Sequence, residues 1–356
     1  MQRRTLLKAS LAVPFVHLAG RLPVVEAASV APIALGVWVP GTPWDMSAFD
    51  QFAALTGKTP ATALWYVDWT HPDFYTEGME AIAARGAMPM VTWEPFDWRR
   101  GRAAAPAYAP RRIAAGDHDA YVRRFARGAA RWGKPFYLRF AHEMNGDWYP
   151  WSPGVNGNTS AEFVAAWRHL HAIFREEGAT NALWVWSPNY HYPGLTPLRD
   201  LYPGDAYVDW VALDGYNRGT NLPGEGWTSM LTLFARSYRM VEEITARPLM
   251  IAETGSSEFG GDKGEWIRSA FLAEIPLHMP RVRAVNWFHE NKEHEQEADW
   301  RVTTSSGSLD AYRQVARSAL YAGMLPGAPT AVGQPPRPAP PTPAGGISPA
   351  PAPPRR

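Results

Sequence analysis

The chain has 356 residues, with 35 Lys plus Arg against 34 Asp plus Glu, and a formal charge of +1 offers no broad basic field for nucleic acid. It contains no cysteine, which excludes a disulfide scaffold, a thiolate zinc site and a Cys nucleophile. Hydrophobic residues make up 46%, enough for a self-sufficient core, and the 17 tryptophans suit either a heavily aromatic interior or a surface that grips flat apolar faces.

Met1-Gln2-Arg3-Arg4-Thr5-Leu6-Leu7-Lys8 is basic, Leu11 to Ala19 is apolar, and small residues follow at Ala27-Ala28-Ser29. That order reads as an export signal over residues 1–28, and the paired arginines make it twin-arginine-like. The apolar part is too short for a convincing span, so the processed protein is expected outside the cytoplasm, periplasmic or extracellular, without stable membrane insertion and as a monomer. At the other end, residues 326–356 are mostly Pro, Ala and Gly, lack large apolar groups and read as an extended disordered tail. Residues 29–325 are left as one folded domain, near the size of a single α/β barrel.

Within that domain, β-rich runs recur at Ile33–Val39, Thr62–Asp68, Met88–Trp93, Phe136–His142, Ala182–Ser187, Val208–Asp214, Leu249–Glu253 and Val282–Phe288. Most are continuously apolar, as parallel strands covered on both faces are. Amphipathic helical stretches lie between them at Asp117–Trp132, Ala161–Glu177, Trp227–Ala246, Asp262–Ile275 and, after the last strand, Leu309–Ala322. Between the fifth and sixth strands, Pro193, Pro197 and Pro203 weaken any helix. The pattern predicts an α/β fold, a (β/α)8 TIM barrel; an open doubly wound sheet competes, but no Gly-rich phosphate loop follows the first strand.

In such a barrel chemistry gathers at the C-terminal strand ends. The fourth strand runs into Arg139-Phe140-Ala141-His142-Glu143-Met144-Asn145-Gly146-Asp147-Trp148-Tyr149-Pro150-Trp151, and the seventh ends Ile251-Ala252-Glu253-Thr254-Gly255. Two carboxyls facing each other across the mouth are what glycosidic cleavage requires. Glu143, among aromatics, is expected to hold its proton as the acid. Glu253 is expected to stay ionised, with Arg139 and the Tyr216 hydroxyl stabilising it. A buried ion pair bridging two strands is the competing reading of these glutamates. Indole faces suit pyranose rings, which marks Trp148, Trp151, Trp93, Trp186 and Trp287 as candidate sugar contacts. His289 and His294 are five apart in a charged loop and do not match the helical pair of a metalloprotease, so no metal is expected.

The fourth-strand segment resembles glycoside hydrolase family 26, known for endo-β-mannanases, β-1,3-xylanases and mixed-linkage β-glucanases. Ile251 to Gly255 is similar to that family's nucleophile strand, Asp214-Gly215-Tyr216-Asn217 to its sixth-strand segment, and Asn286-Trp287-Phe288 to the strand carrying a Trp beneath the sugar. The third strand departs from the pattern: it reads Trp93-Glu94-Pro95-Phe96 where mannanases often present a Trp-His pair. The resemblance implies Glu143 as acid/base, Glu253 as nucleophile, and His142, Arg139 and Tyr216 as their support. It also implies Trp287 as a sugar platform and Asn145 as a neighbouring contact, with no cofactor. The expected activity is a retaining endo-β-glycanase acting on a polysaccharide or oligosaccharide, with β-1,4-mannan foremost. Mixed-linkage or other β-glucan hydrolysis, transglycosylation and a non-catalytic carbohydrate-binding barrel are the alternatives.

Overall fold

Eight parallel strands close on themselves in chain order, β1 (Ala34–Trp38), β2 (Thr62–Asp68), β3 (Met88–Glu94), β4 (Phe136–Phe140), β5 (Ala182–Trp186), β6 (Trp210–Asn217), β7 (Leu249–Ser256) and β8 (Val282–Phe288), with β8 pairing back onto β1. The computed structural model describes residues 31–325 apart from 72, 221–223, 296 and 324. The expected export signal and Pro-rich tail lie outside the described residues. The helices are α1 (Ser47–Thr56), α2 (Thr76–Ala83), α3 (Pro110–Ala114), α4 (Asp119–Trp132), α5 (Ser160–Glu176), α6 (Met230–Ile244), α7 (Lys263–Ser269), α8 (Ile275–His278) and α9 (Ser306–Arg317). This is the (β/α)8 barrel that the strand–helix alternation predicts.

Local sequence explains most element ends. Thr159 and Glu162 form a reciprocal capping box that starts α5, which buries Phe163, Trp167, Leu170 and Phe174 along the stripe read from sequence. Between β5 and β6 the prolines leave only short 3-10 turns, Leu198–Leu201 and Asp205–Tyr207. The stretch expected as one helix from Asp262 is divided by a π turn at Ala270–Glu274. Among the described residues no helix is long and apolar enough to cross a membrane.

Alternation along each strand separates two cores. Inside the barrel sit Ala34, Leu64, Met88, Met90, Tyr137, Val185, Ala212, Met250 and Ala284. Between strands and helices sit their neighbours one residue away, including Leu35, Trp65, Val91, Trp93, Leu138, Trp186, Ile251, Val285 and Trp287. The barrel floor is tight. Thr62 donates to the Asn286 amide oxygen across Gly36, where a Cβ would lie 1.7 Å from both oxygen atoms, so only glycine fits there. Above this layer the inner face turns polar, and that change locates the site.

Candidate active site

Glu253 reaches the inner face through an irregularity in β7. Leu213 pairs with Ile251, but the next pair is Asp214 with Glu253, so β7 carries one extra residue at Ala252. Such a bulge resets the side-chain alternation, and it brings Glu253 to the face already occupied by Met250 and Ala252. There Arg139 Nη1 donates to Glu253 Oε1 at 2.5 Å, Tyr66 Oη donates to the same oxygen at 2.6 Å, and Tyr216 Oη donates to Oε2 at 2.6 Å. Burial pushes the Glu253 carboxyl up, but Arg139 and the two phenols outweigh it and hold the group below the usual carboxylate range. Burial first, and then the Glu253 charge, push both tyrosines well up, so they remain donors.

Arg139 organises the floor beneath. It is fully buried, donates Nε to Ser187 Oγ at 2.8 Å and Nη1 to Thr92 Oγ1 at 3.0 Å, and pairs through Nη2 with Asp214. One guanidinium therefore serves two buried carboxylates. Burial pushes Asp214 well up against the pull of Arg139, and the nearby charge of Glu253 adds to the push.

Glu143 stands on a different kind of support. β4 ends at Phe140 rather than His142, because Ala141 (φ 45°) and Glu143 (φ 50°) adopt the left-handed region, which costs residues with a Cβ roughly 1 kcal/mol or more each. The turn stays tied to both flanking strands: Ala141 N donates to the Trp93 carbonyl at 3.0 Å and Glu143 N to the Ser187 carbonyl at 2.7 Å. Trp148 Nε1 donates to Glu143 Oε2 at 2.6 Å. Its ring lies against Gly146, where a Cβ would come within 2.3–2.5 Å of the indole, so glycine is required for that approach. His142 is packed between Tyr66 and Tyr149, with ring centroids 5.8 and 4.6 Å away, and burial followed by Arg139 holds it well below its ordinary range and neutral. Tyr149 joins the two halves of the site. Burial pushes its hydroxyl well up, and the charges of Glu143, Glu94 and Glu253 all add to the effect.

The candidate residues thus divide. Glu143, Glu253, Arg139, His142, Tyr216 and Trp148 gather at the mouth. Trp93, Trp186 and Trp287 do not: each is fully buried behind the barrel wall. Trp93 donates to Tyr121 Oη and stacks on Phe125, Trp186 donates to the Leu201 carbonyl, and Trp287 donates to the Trp300 carbonyl among Trp266, Phe271 and Tyr312. The reason is parity, since the next position on each strand (Glu94, Ser187, Phe288) is the one that faces inward. Trp151 and Asn145 are near the mouth but act as scaffold. Trp151, stacked on Tyr149 at 4.3 Å, donates to the His142 carbonyl, while the Asn145 side chain brackets the Asn189 backbone in both directions. Sugar contact expected of these five is not met by their placement.

Sequence reasoning missed Tyr66, Ser187 and Trp300 as parts of the site. Trp38 stacks on Phe288 with centroids 4.5 Å apart, and Trp300 packs at 4.8 Å from Tyr216. Counting back two residues from Asp68 finds Tyr66, but Trp300 comes from a loop that no periodicity marks. Among the described residues no group of three His, Asp or Glu is gathered as a metal site.

Comparison with known proteins bears on this geometry. The sequence model of glycosyl hydrolase family 26 matches residues 129–300, the span from the end of α4 through both glutamates to Trp300. Nearly half of the chain, including both glutamates, thus matches glycosyl hydrolase family 26. It is 38% identical over 287 residues to endoglucanase H of Acetivibrio thermocellus, covering 79% of this chain and 30% of that protein. It is 28% identical over 200 residues to mannan endo-1,4-beta-mannosidase A and B of Caldalkalibacillus mannanilyticus, covering 53% and 36%. The chain therefore spans about a third of the length of these relatives. Among solved structures, the catalytic domain of the Bacillus sp. JAMB-750 family 26 endo-β-1,4-mannanase aligns with a TM-score of 0.63 at 17% identity, over 85% of this chain and 89% of that one. A family 26 β-mannanase of Bacteroides ovatus aligns at 0.57 and 17% over 82% and 90%. These likenesses bear on the fold, and they agree with the closed eight-stranded barrel.

Proposed function

We propose that the protein is a retaining endo-β-glycanase that uses Glu253 as nucleophile and Glu143 as acid/base. The observation that carries this reading is the treatment of Glu253, a carboxylate turned inward by a bulge and held ionised by Arg139, Tyr66 and Tyr216. Glu143 stands nearby on its own turn, with one oxygen engaged by Trp148. A buried ion pair needs Arg139 alone. It does not need two phenols on the same carboxylate or a second carboxyl beside it.

The chemistry runs in two displacements. Glu253 attacks the anomeric carbon as the glycosidic C–O bond breaks, and Glu143 gives its proton to the departing oxygen. Glu143, now ionised, takes a proton from water, whose oxygen attacks the same carbon and releases Glu253. A sugar hydroxyl in place of that water gives transglycosylation. β-1,4-Mannan is the leading substrate, in line with the mannosidases among the relatives. β-Glucan is the second reading, favoured by the match to an endoglucanase across 79% of the chain. Export fits the twin-arginine-like segment at residues 1–28, and a polysaccharide too large to enter a cell requires it.

Purified protein incubated with mannan, mixed-linkage glucan and xylan, followed by product sizing and NMR of the first-formed anomer, tests the proposal. Internal cleavage with a β product is expected. Glu253→Ala should lose about 10⁴-fold or more in turnover and Glu143→Gln should be hit hardest on unactivated substrates, both remaining folded by thermal melting. Full activity in either variant, or an α product, refutes the assignment.

A further inference from the structure

The mouth holds more carboxyls than the two-displacement chemistry uses, and they are not equally supplied with donors. Asp68 accepts from Thr70 N at 3.1 Å, Thr70 Oγ1 at 2.7 Å and Trp98 N at 3.3 Å. Asp214 has Arg139 and Ser187, Glu253 has Arg139 and two tyrosines, and Glu143 has Trp148. Glu94, at the end of β3, has no hydrogen-bond donor to its carboxyl among the described residues, yet it is only 6% exposed. Its inward direction follows from alternation, with Met90 and Thr92 on the same face and Trp93 behind the wall.

A buried carboxyl without a donor is costly, and far more so when charged. The groups that face it are Asp68 from β2, Arg139 from β4, Tyr149 from the turn after β4, Glu253 from β7 and Lys292 from the loop after β8. Neither cation is at its disposal. Arg139 serves Asp214 and Glu253, and Lys292 lies 3.1 Å from Glu295 and 3.5 Å from Glu297. Burial, and then the Asp68 charge, push the Glu94 carboxyl up to about 8, so at neutral pH it is an uncharged acid carrying an O–H. Such a group has a donor and an acceptor that no described residue binds, on the inner face within reach of the Glu253 charge.

We propose that Glu94 is a substrate-contact residue whose carboxylic acid hydrogen-bonds a hydroxyl of the sugar ring seated beside Glu253. The proposal rests on the glycanase reading for the identity of the ligand. It assigns Glu94 to binding and not to bond cleavage, because protonating or attacking the glycosidic bond is already provided for.

Glu94→Gln and Glu94→Ala, assayed from pH 5 to 9 on whichever glycan the unmodified protein cleaves, test it. Glutamine keeps one donor and one acceptor without the titration. It should recover most of the activity at pH 6 and remove the decline in kcat/KM centred near pH 8. Alanine should lower kcat/KM about 30-fold at pH 6, the loss of one good hydrogen bond to substrate. Undiminished kcat/KM in Glu94→Ala, or a Glu94→Gln variant as impaired as alanine with the alkaline decline intact, overturns the proposal. If the unmodified protein cleaves no glycan, the glycanase reading fails by itself. Calorimetric titration with manno- and gluco-oligosaccharides then decides the contact: tenfold weaker binding in Glu94→Ala supports it, and equal binding or none overturns it.

Discussion

The ends of β4 and β7 present the same functional group in opposite ways. Glu253 sits on a continuous strand, aimed by a bulge, with donors on both of its oxygens. Glu143 sits beyond the end of its strand, on a turn with two left-handed residues, and one of its oxygens takes an indole N–H. The first arrangement fixes a charge in place. The second leaves a carboxyl on a backbone that the neighbouring strands hold under strain. The two glutamates are thus divided by the donors that hold Glu253 and by the backbone beneath each.

The comparison breaks most severely at Arg139. Arg139→Met should abolish measurable turnover and destabilise the fold by about 3–5 kcal/mol in denaturant titrations, since Glu253 and Asp214 both lose their buried cation. Next come the phenols. Tyr66→Phe and Tyr216→Phe each remove one donor from the Glu253 carboxylate, worth about 1.5–3 kcal/mol, so kcat/KM should fall roughly ten- to a hundredfold. The sign of the accompanying pH change is fixed. These donors favour the ionised form, their loss raises the pKa of Glu253, and the acidic limb of kcat/KM should move to higher pH.

A smaller effect is expected on the other side of the site. Trp148→Phe deletes an N–H that Glu143 accepts and should lower kcat about tenfold, leaving the acidic limb set by Glu253 in place. If that limb moved as far as in the tyrosine variants, the division of labour between the strand ends would be wrong. The smallest functional effect belongs to Trp287→Phe. Melting should register a loss of about 1–3 kcal/mol from the helix-facing core, while KM stays within twofold, because the ring lies behind the wall.

pH also sharpens the contrast through stability. Glu94 ionises near 8 in the folded protein and near 4.5 when unfolded, so the folded state holds the extra proton between those values. Stability should therefore decline as pH rises from about 4.5 to 8, and Glu94→Gln should flatten that part of the profile in denaturant titrations.

How much of this was legible beforehand follows from what each signal measures. Eight apolar runs with intervening helices gave the barrel, because burial on both faces leaves a compositional trace that survives without coordinates. The fourth-strand segment named the family, since Arg139, His142, Glu143 and Trp148 occur within ten residues of chain. The tryptophans behind the wall were misread for a single reason. Trp93, Trp186 and Trp287 stand at strand ends, where sugar platforms are sought, but one step along a strand reverses its facing, and a continuously apolar strand carries no alternation from which to count. Counting along β7 from Met250 also fails for Glu253, because the extra residue in that strand shifts the phase.

Composition and pattern by themselves determined the closed α/β architecture, the lack of thiol chemistry and the two glutamates that merit attention, all of which depend on residue type and local order. Only the tertiary structure decided which face each strand residue presents, that Tyr66 joins Arg139 and Tyr216 on Glu253, and which acid is left without a donor among the described residues. Those outcomes depend on strand register and on side chains from β2, β4 and β6 meeting at one point. Distances between segments dozens or hundreds of residues apart are set by how the barrel closes, and no stretch of sequence carries them.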